Sequence, residues 1–214
     1  MLNEYLEQIY AIYKRGDARE ESYYAELANL LTIASTNYKI KDFAITTLPK
    51  QTEAGNPDFR IWDGKLHYFG YVEAKIPGTN LDVTEQSEQL KRYLSTFPNL
   101  ILTNFLEFRL YRNGKRVKTV TIGDFFAWQQ IKSKSIIQNE EAWNDLIQFF
   151  FSFSLPRITT AKQLAIELAN RAKFLKDQIV IEELANDDSP LHGFYDAFKQ
   201  LLLHNLKKEE FSDL

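Results

Sequence analysis

The stretch from Gly55 to Lys75, GNPDFRIWDGKLHYFGYVEAK, constrains the fold of this chain more than any other part of it. The turn Gly55-Asn56-Pro57 delivers Asp58 to the start of a β-rich run, and a second turn signal, Asp63-Gly64, divides that run in two. The spacing predicts an antiparallel hairpin of two strands, Asp58–Trp62 and Leu66–Lys75. Fourteen residues separate Asp58 from Glu73, enough for the rest of one strand, the turn and the return. Side chains two apart on a strand share a face, so Glu73 and Lys75 stand side by side while Ala74 turns away. The hairpin brings Asp58 back beside Glu73. Two carboxylates and one ammonium then converge on one edge of a sheet.

Those groups suit phosphodiester hydrolysis. Two hard carboxylates, together with phosphate oxygens and water, complete the near-octahedral oxygen shell that Mg²⁺ demands. A metal so held lowers the pKa of a bound water and offsets charge developing on the phosphate. A lysine beside it can orient the attacking water or stabilise the pentavalent state. The plain alternative is a surface hairpin with a solvated Glu and Lys.

With 214 residues, 44% of them hydrophobic and 26% charged, the chain has the material for a sizeable core in one large or two small domains. It contains no cysteine, which excludes a disulfide framework and a thiolate metal site, and its three histidines are far apart in sequence. The N-terminal MLNEYLEQIY carries early acids and no apolar core, so no secretory signal is expected. The longest apolar stretch, near Ile147 to Phe153, is too short to span a bilayer. The expectation is a cytoplasmic protein with no membrane partner. A net charge of −3 argues against tight DNA binding by this chain alone.

Taken in order, Leu2–Tyr13 reads as a helix that Gly16-Asp17 breaks. A second helix is expected from Arg19 to Leu31. Tyr23, Tyr24, Leu27, Leu30 and Leu31 form its apolar face, and Glu20 lies on that face, with Glu21 rotated about 100° away. A carboxylate on an inward stripe needs a partner, and a metal site is one; the plainer reading is an acid that favours the helix dipole. Lys41–Leu48 reads as a strand. After the hairpin, Asp82 to Glu85 resembles a capping box opening a helix to Phe97, with Gln89 and Tyr93 on its inward side. Asn99–Thr103 is a short apolar strand. Glu107–Arg112 and Arg116–Ile122 form a hairpin around Asn113-Gly114. Its Arg109, Arg112, Lys115, Arg116 and Lys118 are either a charge-guarded edge or phosphate contacts. From Glu140 onward the strand pattern ends. Glu141–Phe153 is one helix, Thr160–Gln163 caps another with Leu164, Leu168, Ala172, Leu175 and Ile179 as its stripe, and Leu191–Leu206 is the last. The expected division is 1–155 and 156–214.

At Pro57-Asp58 followed by Glu73-Ala74-Lys75 the chain resembles the PD-(D/E)XK nuclease superfamily. Gln89-x-x-x-Tyr93 is similar to the Q-x-x-x-Y element of RecB-like nucleases. The run Asp17 to Tyr23 resembles the start of the nuclease domain in single-chain restriction–modification enzymes of Types IIG and ISP, and the helices after residue 156 resemble their connector. The resemblance implies an α/β fold, a mixed central sheet flanked by helices, followed by an all-helical connector. It implies a Mg²⁺-dependent endonuclease, with Mn²⁺ the ordinary substitute, acting on double-stranded DNA. Asp58, Glu73 and Glu20 would hold the metal, with Glu21 open as an alternative to Glu20. Lys75 would position the nucleophilic water, Gln89 would orient the site or touch the phosphate, and Tyr93 would pack behind it. The chain has no N/D-P-P-Y/F methyltransferase motif, no G-x-x-x-x-G-K-[ST] phosphate loop and no obvious target-recognition domain. Methyltransferase and target-recognition domains are therefore expected on the same or a partner chain. The nuclease domain of a Type I restriction subunit, and a catalytically silent domain of the same fold used for binding or assembly, are the alternatives.

Overall fold

The computed structural model describes residues 1–50, 52, 54–65, 68–130, 139–153 and 189–202, with isolated positions between 161 and 184. The chain divides into two compact units, Met1–Ser154 and Leu155–Leu214.

The first unit is built on a six-stranded mixed sheet in the order β1-β2-β3-β4-β5-β6. Its strands are β1 (Ala44–Thr47), β2 (Phe59–Trp62), β3 (Tyr68–Ala74), β4 (Asn99–Thr103), β5 (Glu107–Arg112) and β6 (Lys115–Thr121). Spatial order follows chain order because every connection but one is a hairpin. The exception is β3 to β4, which run parallel; a parallel pair needs a crossover, supplied by two helices, α3 (Leu81–Glu85) and α4 (Glu88–Thr96). Every residue of β4 is buried, as expected of a strand covered on both faces. Ile101 joins the core on one face, with α1 (Leu2–Arg15), α2 (Tyr24–Asn37) and α6 (Glu140–Phe151). Leu100 and Leu102 join a smaller core under α3 and α4 on the other.

Gly70 marks where strand and helix meet most closely. A Cβ there would lie 2.5 Å from the Asn99 carbonyl oxygen and 2.7 Å from the Phe150 ring. The buried Asn99 amide bonds the carbonyls of both Phe69 (2.6 Å) and Phe150 (3.0 Å), tying the sheet to α6.

Four local expectations are corrected. Residues Glu20–Tyr23 form a 3₁₀ turn, and the α-helix begins only at Tyr24. Lys39 and Asp42 take positive φ, so β1 starts at Ala44 rather than Lys41. The expected helix from Asp82 to Phe97 is two. Asn80 caps the first through Asp82 and Val83 N–H, and Ser87, in extended conformation, caps the second through Leu90 N–H. A second N-cap inside the run ends the first helix, because a capping residue leaves helical φ/ψ. A short helix α5 (Phe125–Gln130), not anticipated, is opened by Asp124 accepting from Phe126 N–H at 2.8 Å. The Thr160–Gln163 cap lies almost entirely outside the described residues, as do Leu164, Leu175 and Ile179. In the second unit α7 (Pro190–Leu202) occupies the place of the expected last helix. Among the described residues no helix is long and apolar enough to cross a membrane.

Candidate active site

β2 and β3 pair antiparallel with Phe59 opposite Val72 and Arg60 opposite Tyr71. Asp58, one residue before β2, is thereby brought level with the end of β3. Its Oδ2 accepts the Ala74 N–H at 2.7 Å, and its Oδ1 accepts the Tyr24 hydroxyl at 2.6 Å. Glu73 is 2% exposed, and its Oε1 accepts from Lys75 Nζ at 2.7 Å. Glu73 Oε2 is buried and has no hydrogen-bond partner among the described residues. A buried carboxylate oxygen left bare is costly, and it marks where this cluster is incomplete.

Glu20 joins from the 3₁₀ turn. Its Oε1 is 3.2 Å from the Tyr24 hydroxyl and 3.8 Å from Lys75 Nζ. In a 3₁₀ turn i and i+3 eclipse, so Glu20 follows the fully buried Tyr23 inward while Glu21 is exposed. The inward placement expected of Glu20 is therefore present, but a tighter turn produces it rather than an α-helical stripe. Tyr24, which the sequence marks only as a core aromatic, is the residue that links Glu20 to Asp58. Its phenol has one proton for two carboxylates, so the pair shares a single donor. Glu20 four residues before a tyrosine was the available signal. Tyr93 is 1% exposed behind Gly55, where a Cβ would meet its ring at 3.3 Å. Gln89 is exposed on α4 and donates to the Tyr93 hydroxyl at 3.1 Å.

The electrostatics follow from burial. Desolvation, with Asp58 beside it, pushes the Glu73 carboxyl up to about 8 despite the Lys75 ammonium. Burial also raises Glu20, partly offset by Lys75. Burial alone would lower Lys75, but Glu73 and Glu20 hold it above the ordinary lysine range. Burial and the two carboxylates push the Tyr24 phenol far up, so it stays a donor.

A stability prediction follows. Folded Glu73 keeps its proton to about 8, whereas an unperturbed carboxyl loses it near 4.5. Between those values the folded state binds more protons than the unfolded one, so stability falls as pH rises. The contribution is fully present below 4.5 and lost as pH passes 8. Urea unfolding of metal-free protein across this window is expected to show the decline, and Glu73→Gln to flatten it.

Carboxylates are the donor type a hard divalent ion takes, and Asp58, Glu73 and Glu20 supply three of them in this region. As they stand, no three His, Cys, Asp or Glu side chains among the described residues form a ready metal cage. Lys75 and the Tyr24 hydroxyl occupy the space between the acids instead. Mg²⁺ does not require such a cage, since it is commonly held by one or two carboxylates with water and phosphate oxygens.

The basic hairpin is not arranged for phosphate. Arg109, 6% exposed, is engaged by Asp82 (2.7 Å), Glu85 (3.0 Å) and Glu107 (2.6 Å). Arg116 pairs with Glu85 and Lys118 with Asp145. Arg112 donates to Asn99 and to the Phe149 carbonyl. Asp82 and Glu85, expected to cap a helix, instead neutralise these cations. Burial pushes Glu85 up, but hydrogen bonds from Tyr111 and Arg109 leave it below the usual carboxylate range.

The fold class is thus a mixed α/β sheet flanked by helices, with an acid–lysine cluster at one end of the β2–β3 pair. No protein-family model matches the chain, and no curated protein matches it in sequence. Among solved structures it is similar to a chain in a cryo-EM structure of a DrdV–DNA complex, with 20% identity and a TM-score of 0.51. That match covers 94% of this chain and 17% of the DrdV chain, so the present chain spans about a sixth of its length. At this identity the likeness is one of fold.

Proposed function

We propose that this chain is the DNA-cleaving part of a restriction enzyme, a metal-dependent endonuclease of the PD-(D/E)XK type that hydrolyses phosphodiester bonds of double-stranded DNA. One observation carries the reading: Asp58, fifteen residues before Glu73 in the chain, is brought to the same sheet end as the Glu73–Lys75 pair, where Glu73 Oε2 is left bare. The fold likeness to a chain solved with DNA supports it. Methyltransferase and target-recognition domains, on the same or another chain, are the partners this reading calls for.

Asp58 and Glu73 would hold Mg²⁺, with Glu20 reaching it directly or through water. Bound there, the ion supplies Lewis-acid stabilisation and an acidified water. Lys75 Nζ, fixed by Glu73, is placed to donate to the attacking water or to a non-bridging phosphate oxygen. The Ala74 N–H and the Tyr24 hydroxyl fix both oxygens of Asp58, so its free lone pairs keep one orientation. Gln89 and Tyr93 close the α4 side, where Gln89 can reach a phosphate. In plasmid nicking, the full chain in Mg²⁺ is expected to cut and the same chain in EDTA is not. Absence of cutting, alone and within the complete assembly, would point to the silent binding module.

A further inference from the structure

A second cluster extends from this site along the same face of the sheet. Tyr71 lies two residues before Glu73 on β3 and shares its face. Arg60 is directly opposite Tyr71 on β2, so it shares that face too. Beyond this pair Trp62 is opposite Tyr68, past a bulge at Ile61/Trp62. The Trp62 and Tyr68 rings are near-parallel at 6.2 Å. The Arg60 guanidinium lies 4.3 Å from the Trp62 centroid and 5.7 Å from that of Tyr68. Thr46, opposite Arg60 on β1, accepts from both Arg60 (3.3 Å) and Trp62 Nε1 (3.0 Å).

Arg60 differs from the other sheet arginines in what neutralises it. Arg109 and Arg116 have carboxylate partners, and Arg112 donates at normal distances to an amide and a carbonyl. Among the described residues no carboxylate pairs with Arg60. Its one hydrogen bond is the long contact to Thr46, and its Nε is buried without a partner. A guanidinium stacked on aromatic rings keeps its planar fork and its charge, loses little further freedom on binding, and matches a phosphate.

We propose that Arg60, held flat by Trp62 and Tyr68, is a phosphate-binding site for the DNA strand that passes through the Asp58–Glu73–Lys75 centre. This rests on the nuclease reading and adds a contact to it. β-strand rise puts Arg60 roughly 7 Å along the sheet from the Glu73 position, so it meets a phosphate flanking the cleaved one. The guanidinium recognises backbone rather than base, which fits binding indifferent to sequence.

The test is anisotropy of a labelled short duplex with the full chain in EDTA, titrated over a range of salt. Arg60→Gln is expected to lower affinity about tenfold and to reduce the slope of log K against log[salt] by about 0.9. Arg60→Lys, which keeps the charge, restores most of the slope. Lys115→Gln, at the exposed tip of the β5–β6 hairpin, serves as a surface-charge control and is expected to change neither. Equal behaviour of Arg60→Gln and wild type, or an equal loss in Lys115→Gln, overturns the proposal. Plasmid cleavage in Mg²⁺ separates the two readings. Wild-type cutting with no Arg60 effect on binding removes the phosphate site and leaves the nuclease. An Arg60-dependent loss of binding with no wild-type cutting removes the nuclease and leaves the site.

Discussion

Cleavage in Mg²⁺ is expected to fall about 10³-fold, near 4 kcal/mol of barrier, in each of Asp58→Ala, Glu73→Ala and Lys75→Ala. Each removes a group that would bear on the metal or the developing charge, and the three act as one unit, so their losses do not add. Folding has to be separated from chemistry, because these residues are buried to different degrees and have different partners. Asp58→Ala strands two buried donors, the Ala74 N–H and the Tyr24 hydroxyl, at about 1–3 kcal/mol. Asp58→Asn keeps an acceptor and is the cleaner variant. Lys75→Ala removes the ammonium that donates to Glu73 at 2.7 Å. Glu73→Gln removes a carboxylate that burial already disfavours and is expected to fold at least as stably as wild type. Nicking of supercoiled plasmid, read beside thermal unfolding of each variant, is the measurement. Undiminished nicking in any two of the three positions ends the active-site assignment.

Glu20→Ala is expected to lose about 10–100-fold in cleavage, the range for a residue supporting a metal site from its second shell. Glu21→Ala should stay within about twofold, as for an exposed surface change. The contrast rests on position alone, since the two acids are adjacent and chemically identical. Glu20 reaches the Tyr24 hydroxyl and approaches Lys75, whereas Glu21 is exposed. Titrating Mg²⁺ in the assay adds a second readout: a Glu20 that supports the metal raises the Mg²⁺ requirement when removed. The opposite order of activities refutes the assignment of Glu20.

The hairpin and its acids could be read from residues 55 to 75 because the information is local. A turn on each side of a short run and a period of two decide which side chains share a face. β4 was legible for a similar reason, as a short apolar run. Glu20 was placed inward by an α-helical period that does not apply there, since residues 20–23 form a 3₁₀ turn. The placement survived because in that turn Glu20 lies over the buried Tyr23, three residues on, and its carboxylate still reaches the Tyr24 hydroxyl.

What the chain determined by itself was therefore the succession of strands, the β2–β3 hairpin and the convergence of Asp58, Glu73 and Lys75. Tertiary structure alone decided what each charge is for. Five basic residues on one hairpin look the same in sequence whether they meet DNA or the protein itself, and partners as distant in the chain as Asp82 and Asp145 engage four of them. One arginine, Arg60, lies over a tryptophan and has no carboxylate ion pair among the described residues. Tyr24 became a site residue only because Asp58 arrives 2.6 Å from its hydroxyl. Charge pairing and desolvation depend on distances between segments remote in the chain, and hydrophobic periodicity carries no record of those distances.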